Sequence, residues 1–66
     1  MDIRDDLLAK AGAKAAVLYE CGVIRLVDAD VLADRIIKMV DLYIKRGADE
    51  NFDNYIEVEL AMEFAA

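Results

Sequence analysis

Between Asp28 and Gly47 the sequence has the apolar spacing of an α-helix with a defined start, face and end. Asp28 or Asp30 can accept a hydrogen bond from the free backbone N–H groups of a first turn, so the helix is expected to begin near residue 30. Two basic residues suit its negative C-terminal end, and Gly47 can take the left-handed conformation that closes a helix. The pattern therefore predicts a helix over about residues 30–46.

The apolar face of this helix spans about 160°, which is wider than the roughly 100° stripe of a surface helix. We therefore expect the helix to pack against two neighbours, and we expect its apolar face to form an oligomer interface. The residues of the predicted interface are Leu32, Ile36, Ile37, Met39, Val40, Tyr43 and Ile44.

A first helix is predicted over about residues 3–21, because acidic residues occupy its positive end and few residues would break a helix before Gly22. Small residues repeat at i and i+4 between Ala11 and Ala16 and would let another helix approach closely. Residues 22–27 follow as an apolar connector, although a short strand or one more helical turn also fits. If its apolar side chains were exposed they would form a patch of the kind that usually marks a contact, which again indicates a partner.

The third predicted element, over about residues 53–64, has a pattern that fits two structures. Apolar and polar positions alternate from Ile56 to Phe64, as they do in a half-buried strand. Asn54 and Glu57 resemble a capping box, and the Leu, Ala, Met and Glu residues that follow are good helix formers. We favour the helix and keep a single strand, paired with a second copy or with the connector, as the alternative.

Together these elements predict a mainly α fold, a helical hairpin or small three-helix bundle, in a single domain over residues 1–66. For a chain of 66 residues, even with 59% hydrophobic residues, the free energy gained by burying apolar surface nearly cancels the entropy lost on folding. A disulfide, a metal ion or a partner chain is then needed to stabilise the fold. One cysteine allows no intrachain disulfide, and the lack of His leaves no structural zinc site. We therefore expect oligomerisation, as a homodimer or with a permanent heteropartner, to complete the fold.

Charge is distributed unevenly along the chain. Residues 1–47 contain eight acidic and eight basic residues, whereas residues 48–66 contain six acidic residues and no basic one, which accounts for the net charge of −6. This segregation predicts a regulator, adaptor or inhibitor whose acidic surface meets a basic protein partner, with carboxylates that mimic the phosphates of nucleic acid. The predicted partner-binding residues are Asp49, Glu50, Asp53, Glu57, Glu59 and Glu63.

Two alternatives to this hypothesis remain open. In the first, the chain is a structural subunit of a homo- or hetero-oligomer, and its acidic end only confers solubility. In the second, Asp49-x-Asn51-x-Asp53 resembles the start of an EF-hand loop, which implies a degenerate calcium-binding loop over residues 49–60. The bidentate glutamate that should end such a loop is replaced by Leu60.

Residues 39–51, MVDLYIKRGADEN, resemble the second helix and turn of an ankyrin repeat, which ends in Gly-Ala-Asp-x-Asn. The resemblance implies a binding module. The Thr-Pro-Leu-His of a following repeat is absent, and no self-similarity with a period of about 33 residues occurs upstream. We interpret the likeness as local convergence on a turn that ends a helix.

The residue types also limit the chemistry that we expect. The sequence has no His, Ser or Thr and no glycine-rich phosphate loop, so we predict no enzyme, no cofactor and no metal site. Bases that are evenly offset by acids argue against direct nucleic acid binding. No apolar run approaches the roughly 20 residues of a membrane span, and the acidic N-terminus is unlike a signal peptide. We therefore predict a cytoplasmic protein with no membrane contact, in which Cys21 is reduced and buried.

Overall fold

A computed structural model describes residues 2–66, and these form three α-helices that pack against one another in pairs. The helices are α1 (Ile3–Glu20), α2 (Ala29–Lys45) and α3 (Phe52–Phe64). The mainly α, three-helix prediction is therefore confirmed. The helix α2 contacts both α1 and α3, as the width of its apolar face predicts.

Both of the predicted glycine stops end a helix. Gly47 has a φ of 95°, and its N–H donates to the Ile44 carbonyl at 3.0 Å while the Ala48 N–H donates to the Tyr43 carbonyl at 3.1 Å. This pair of hydrogen bonds is a Schellman motif. Gly22, with a φ of 77°, ends α1 in the same way.

The helix starts are fixed by side-chain caps. The Asp28 carboxylate accepts the N–H two residues along at 2.9 Å, so of the two candidate residues Asp28 is the cap of α2. The capping box predicted at Asn54 and Glu57 is wrong, because Asn51 caps α3 and its side-chain oxygen accepts the Asn54 N–H at 3.0 Å. The earlier start places Phe52 in the first turn, where its ring is buried in the core.

The strand alternative for the end of the chain is also wrong. Ile56, Leu60 and Phe64 repeat every four residues on the buried face of α3, while Val58 and Met62 repeat at the same interval on its exposed face. Two interleaved sets with a period of four look like a period of two in the sequence. The helix prevails because it is capped, is built from good helix formers and buries large side chains along one face.

The segment between α1 and α2 is an irregular connector, as we favoured, and it pairs with the end of the chain. Ile24 forms an isolated antiparallel bridge with Ala65 through backbone hydrogen bonds of 2.9 and 3.2 Å. The Ile24 side chain is thereby buried, whereas Leu26 remains 77% exposed. Cys21, which we expected to be buried, is exposed because it caps the last turn of α1 at the surface.

The core is closed by an aromatic cluster at the α2–α3 end of the bundle. The ring of Tyr43 lies 5.0 Å from that of Phe52 and 5.2 Å from that of Tyr55 between centroids. The Tyr43 hydroxyl donates to the Glu50 carbonyl, and the Tyr55 hydroxyl donates to the Met39 carbonyl at 3.2 Å. The hydroxyl group of each buried tyrosine therefore has a hydrogen-bond partner.

The three helices bury this core against one another. The solvent-accessible surface is 4391 Å², and a compact monomeric protein of 7.4 kDa exposes about 4,200 Å². The folded chain therefore has close to the surface area of a self-contained domain.

Candidate interaction surfaces

The α2 residues predicted to form an oligomer interface divide into two groups. Contacts with α1 and α3 bury four of them inside the chain, and these are Ile36, Met39, Val40 and Tyr43. Leu32 is half-buried beside the core, while Ile37 and Ile44 are exposed. The four buried side chains are not accessible to a second copy of this fold, because the wide apolar face packs against two neighbouring helices.

The four acidic residues of α3 lie along its two edges. Asp53 and Glu57 occupy the edge that faces α1, where Glu57 is 3.7 Å from the Lys14 ammonium and Asp53 lies near the same lysine. Glu59 and Glu63 occupy the edge that faces α2. The helix thus divides the acidic residues into two rows that border its solvent face.

Ion pairs with the first two helices neutralise part of this charge. Glu63 accepts a hydrogen bond from Arg35 Nε at 2.7 Å, and this bond, followed by the charges of Glu63 and Asp34, raises the pKa of the Arg35 guanidinium. Glu50 is 4.0 Å from Arg46. Within residues 2–66 no base lies within ion-pair distance of Asp49, Asp53 or Glu59. The segregation of charge seen in the sequence is therefore reduced in the folded chain.

Between the two acidic rows the solvent face of α3 carries no charge. We call this face the α3 stripe, and it consists of Asn54, Val58, Ala61 and Met62. Val58 is 54% exposed and Met62 is 76% exposed. The α3 stripe is thus an apolar strip with a row of carboxylates on each side.

The remaining predicted acids, Asp49 and Glu50, lie in the turn between α2 and α3. Residues 52–60 of the calcium-loop alternative are helical, and the Asn51 oxygen is used as the cap of α3. A helical backbone does not wrap around an ion as a twelve-residue EF-hand loop does. In the described part of the chain, no three His, Cys, Asp or Glu residues are grouped so that they could hold a metal ion.

A second surface feature, which the interface prediction did not include, lies between α1 and the connector, away from the edge of α1 that faces the acidic row of α3. We call it the α1 groove. It is lined by Gly12, Ala15, Ala16 and Tyr19 of α1, by residues 24–27 of the connector and by Leu32 of α2. The groove is open and apolar, with a volume of about 210 Å³. The sequence signals for it were the small residues of α1 and the uncovered apolar connector.

No family model, curated protein or solved structure matches this chain. Among the helices of residues 2–66, none is both long and apolar enough to cross a membrane.

Proposed function

We propose that this chain is a small protein-interaction module, a regulator, adaptor or inhibitor, that binds a basic segment of another protein on the α3 stripe. The observation that supports the proposal is an uncharged strip between two acidic rows on one helix. A basic amphipathic helix has the matching pattern, since its apolar face is bordered by Lys and Arg. The carboxylates of α3 would pair with those bases as phosphates do in a nucleic acid complex.

The two kinds of side chain on this surface would have different roles. Val58 and Met62 supply apolar area for affinity, and the flexible thioether of Met62 adapts to different partner side chains. The acidic rows supply orientation and a faster association rate. Asp53 and Glu59, one on each row, would form the new ion pairs with a basic partner, because Glu57 and Glu63 already have a base within the chain.

The test is to titrate the purified chain with a synthetic amphipathic peptide that has leucines on one face and lysines and arginines at its borders. The Asp53→Asn/Glu59→Gln variant should bind the peptide about fivefold more weakly at low salt, since two exposed ion pairs contribute about 0.5 kcal/mol each. Its affinity should also vary less with salt concentration. Fluorescence anisotropy at two salt concentrations measures both effects.

The matched control is Asp5→Asn/Glu20→Gln, which makes the same change of charge at exposed positions of α1. This variant should bind the peptide as the wild type does. Equal weakening by both variants would mean that net charge alone attracts the peptide, and no weakening by either would refute the role of the acidic rows.

A structural subunit whose acidic end only confers solubility would behave differently. Its contact would be apolar and would hold or tighten as salt increases, whereas binding to the α3 stripe should weaken. The proposed module acts by binding alone, without catalysis, cofactor or metal. We place it in the cytoplasm, where an exposed free thiol such as that of Cys21 stays reduced.

A further inference from the structure

The α1 groove is of a size that suits side chains from another polypeptide. Its volume of about 210 Å³ is below the roughly 300 Å³ at which small-molecule sites begin. A Cβ atom added to Gly12 would meet no atom within 4 Å apart from those of its own stretch of helix, so the space above Gly12 is open. A side chain can therefore enter without displacing any part of the fold.

A protruding apolar side chain lies beside this hollow. Leu26 is among the residues that line the groove and is 77% exposed, while Ile24 and Val27 pack on the core. A twofold interface between identical chains needs a hollow and a protrusion on the same surface, because each copy must supply both. The α1 groove and Leu26 satisfy this requirement.

Charge also favours a second copy at this surface. The α3 stripe is bordered by four carboxylates, so two such surfaces would repel each other in a chain with a net charge of −6. The residues that line the α1 groove include one charged side chain, the base Arg25, and no acid, and Arg25 has no ion-pair partner among residues 2–66. A second copy, with its net charge of −6, would therefore meet a base and no carboxylate in the lining of the groove.

We propose that the chain forms a homodimer in which Leu26 of each copy enters the α1 groove of the other. This inference is independent of what the α3 stripe binds. It also differs from the α2 interface that the sequence predicts, because the central residues of that face are buried within the chain.

Sedimentation equilibrium of the full chain over a range of concentrations tests the proposal. The wild type should be a reversible dimer. Gly12→Leu should raise the dimer dissociation constant at least tenfold, because the new side chain fills the hollow, and it should leave the fold intact, because the space is open and leucine favours a helix. Leu26→Asp should have a similar effect on dissociation.

The matched control is Val58→Asp, which places a charge on the exposed α3 stripe and should leave the dimer constant unchanged. Circular dichroism of each variant confirms that the helices are retained. A wild type that stays monomeric up to about 1 mM, the range of very weak affinities, would overturn the proposal. A dimer that Val58→Asp dissociates and Gly12→Leu does not would overturn it as well, since the contact would then lie on α3.

Discussion

The turn after α2 contains two consecutive residues with left-handed backbone, and only one of them is glycine. Gly47 has a φ of 95° and Ala48 a φ of 51°. This conformation costs an L-residue with a Cβ atom about 1–2 kcal/mol, whereas it costs glycine almost nothing. The Ala48 N–H is nevertheless held there by its hydrogen bond to the Tyr43 carbonyl. The turn therefore stores strain at Ala48.

The same exchange of alanine and glycine should have opposite effects at these neighbouring sites. Gly47→Ala should lower the free energy of unfolding by about 1 kcal/mol, because the added Cβ meets no neighbour and only the backbone conformation is penalised. Ala48→Gly should raise the free energy of unfolding by about 0.5 kcal/mol. The substitution relieves the backbone strain, but glycine also increases the entropy of the unfolded chain, which offsets part of the gain. Urea denaturation measures both changes.

Ala13→Gly, at an exposed position in the middle of α1, is the control for this pair. It should destabilise the protein by about 0.5–1 kcal/mol, as glycine does inside any helix. A loss of stability in Ala48→Gly like that in Ala13→Gly would show that Ala48 is not strained in solution.

At the scale of helices, Tyr55 links α3 to α2 through the hydrogen bond from its hydroxyl to the Met39 carbonyl. Burial, followed by the negative charge of Glu59, raises the pKa of Tyr55 above its ordinary value of about 10. The folded state therefore holds the phenolic proton more tightly than the unfolded state does. This contribution to stability is fully present below pH 10 and is lost as the pH rises through the raised pKa.

Replacement of Tyr55 by phenylalanine should remove both the bond and this pH dependence. Near neutral pH, Tyr55→Phe should cost about 1 kcal/mol, since the buried Met39 carbonyl loses its side-chain partner. Above pH 10 the variant should lose less stability than the wild type, as measured by urea denaturation across that range. Parallel stability curves for the wild type and Tyr55→Phe would contradict the assigned coupling.

The sequence predicts the helices better than it predicts their surfaces, and the reason is the range of the interactions. Residues that cap or end a helix, such as Asp28 and Gly47, act on backbone groups only a few residues away, so the sequence alone predicts them. Burial depends on which helices meet, and a single helix pattern does not say whether Val40 faces a neighbour in the same chain or in another copy. The ion pair between Arg35 and Glu63 joins residues far apart in sequence, so the charge it neutralises appeared free.

At the scale of the whole molecule, α1 separates the two proposed surfaces. Gly12, Ala16 and Tyr19 line the α1 groove on one edge of the helix. Lys14 and Val17 lie on the other edge, which faces the acidic row of α3. A partner on the α3 stripe and a second copy at the groove would therefore contact different sides of α1.

This separation predicts that the two binding events are energetically independent. Gly12→Leu should abolish most dimerisation and leave the peptide affinity and its salt dependence unchanged, while Asp53→Asn/Glu59→Gln should weaken peptide binding and leave the dimer constant unchanged. In the combined variant the two effects should add to within about 0.5 kcal/mol, as they do for sites that share no contacts. Titration of the peptide at concentrations where the wild type is monomeric and where it is dimeric measures the coupling directly. A change in peptide affinity of tenfold or more between those conditions would mean that dimerisation and partner binding share a surface, and the α3 stripe would then be part of the dimer contact.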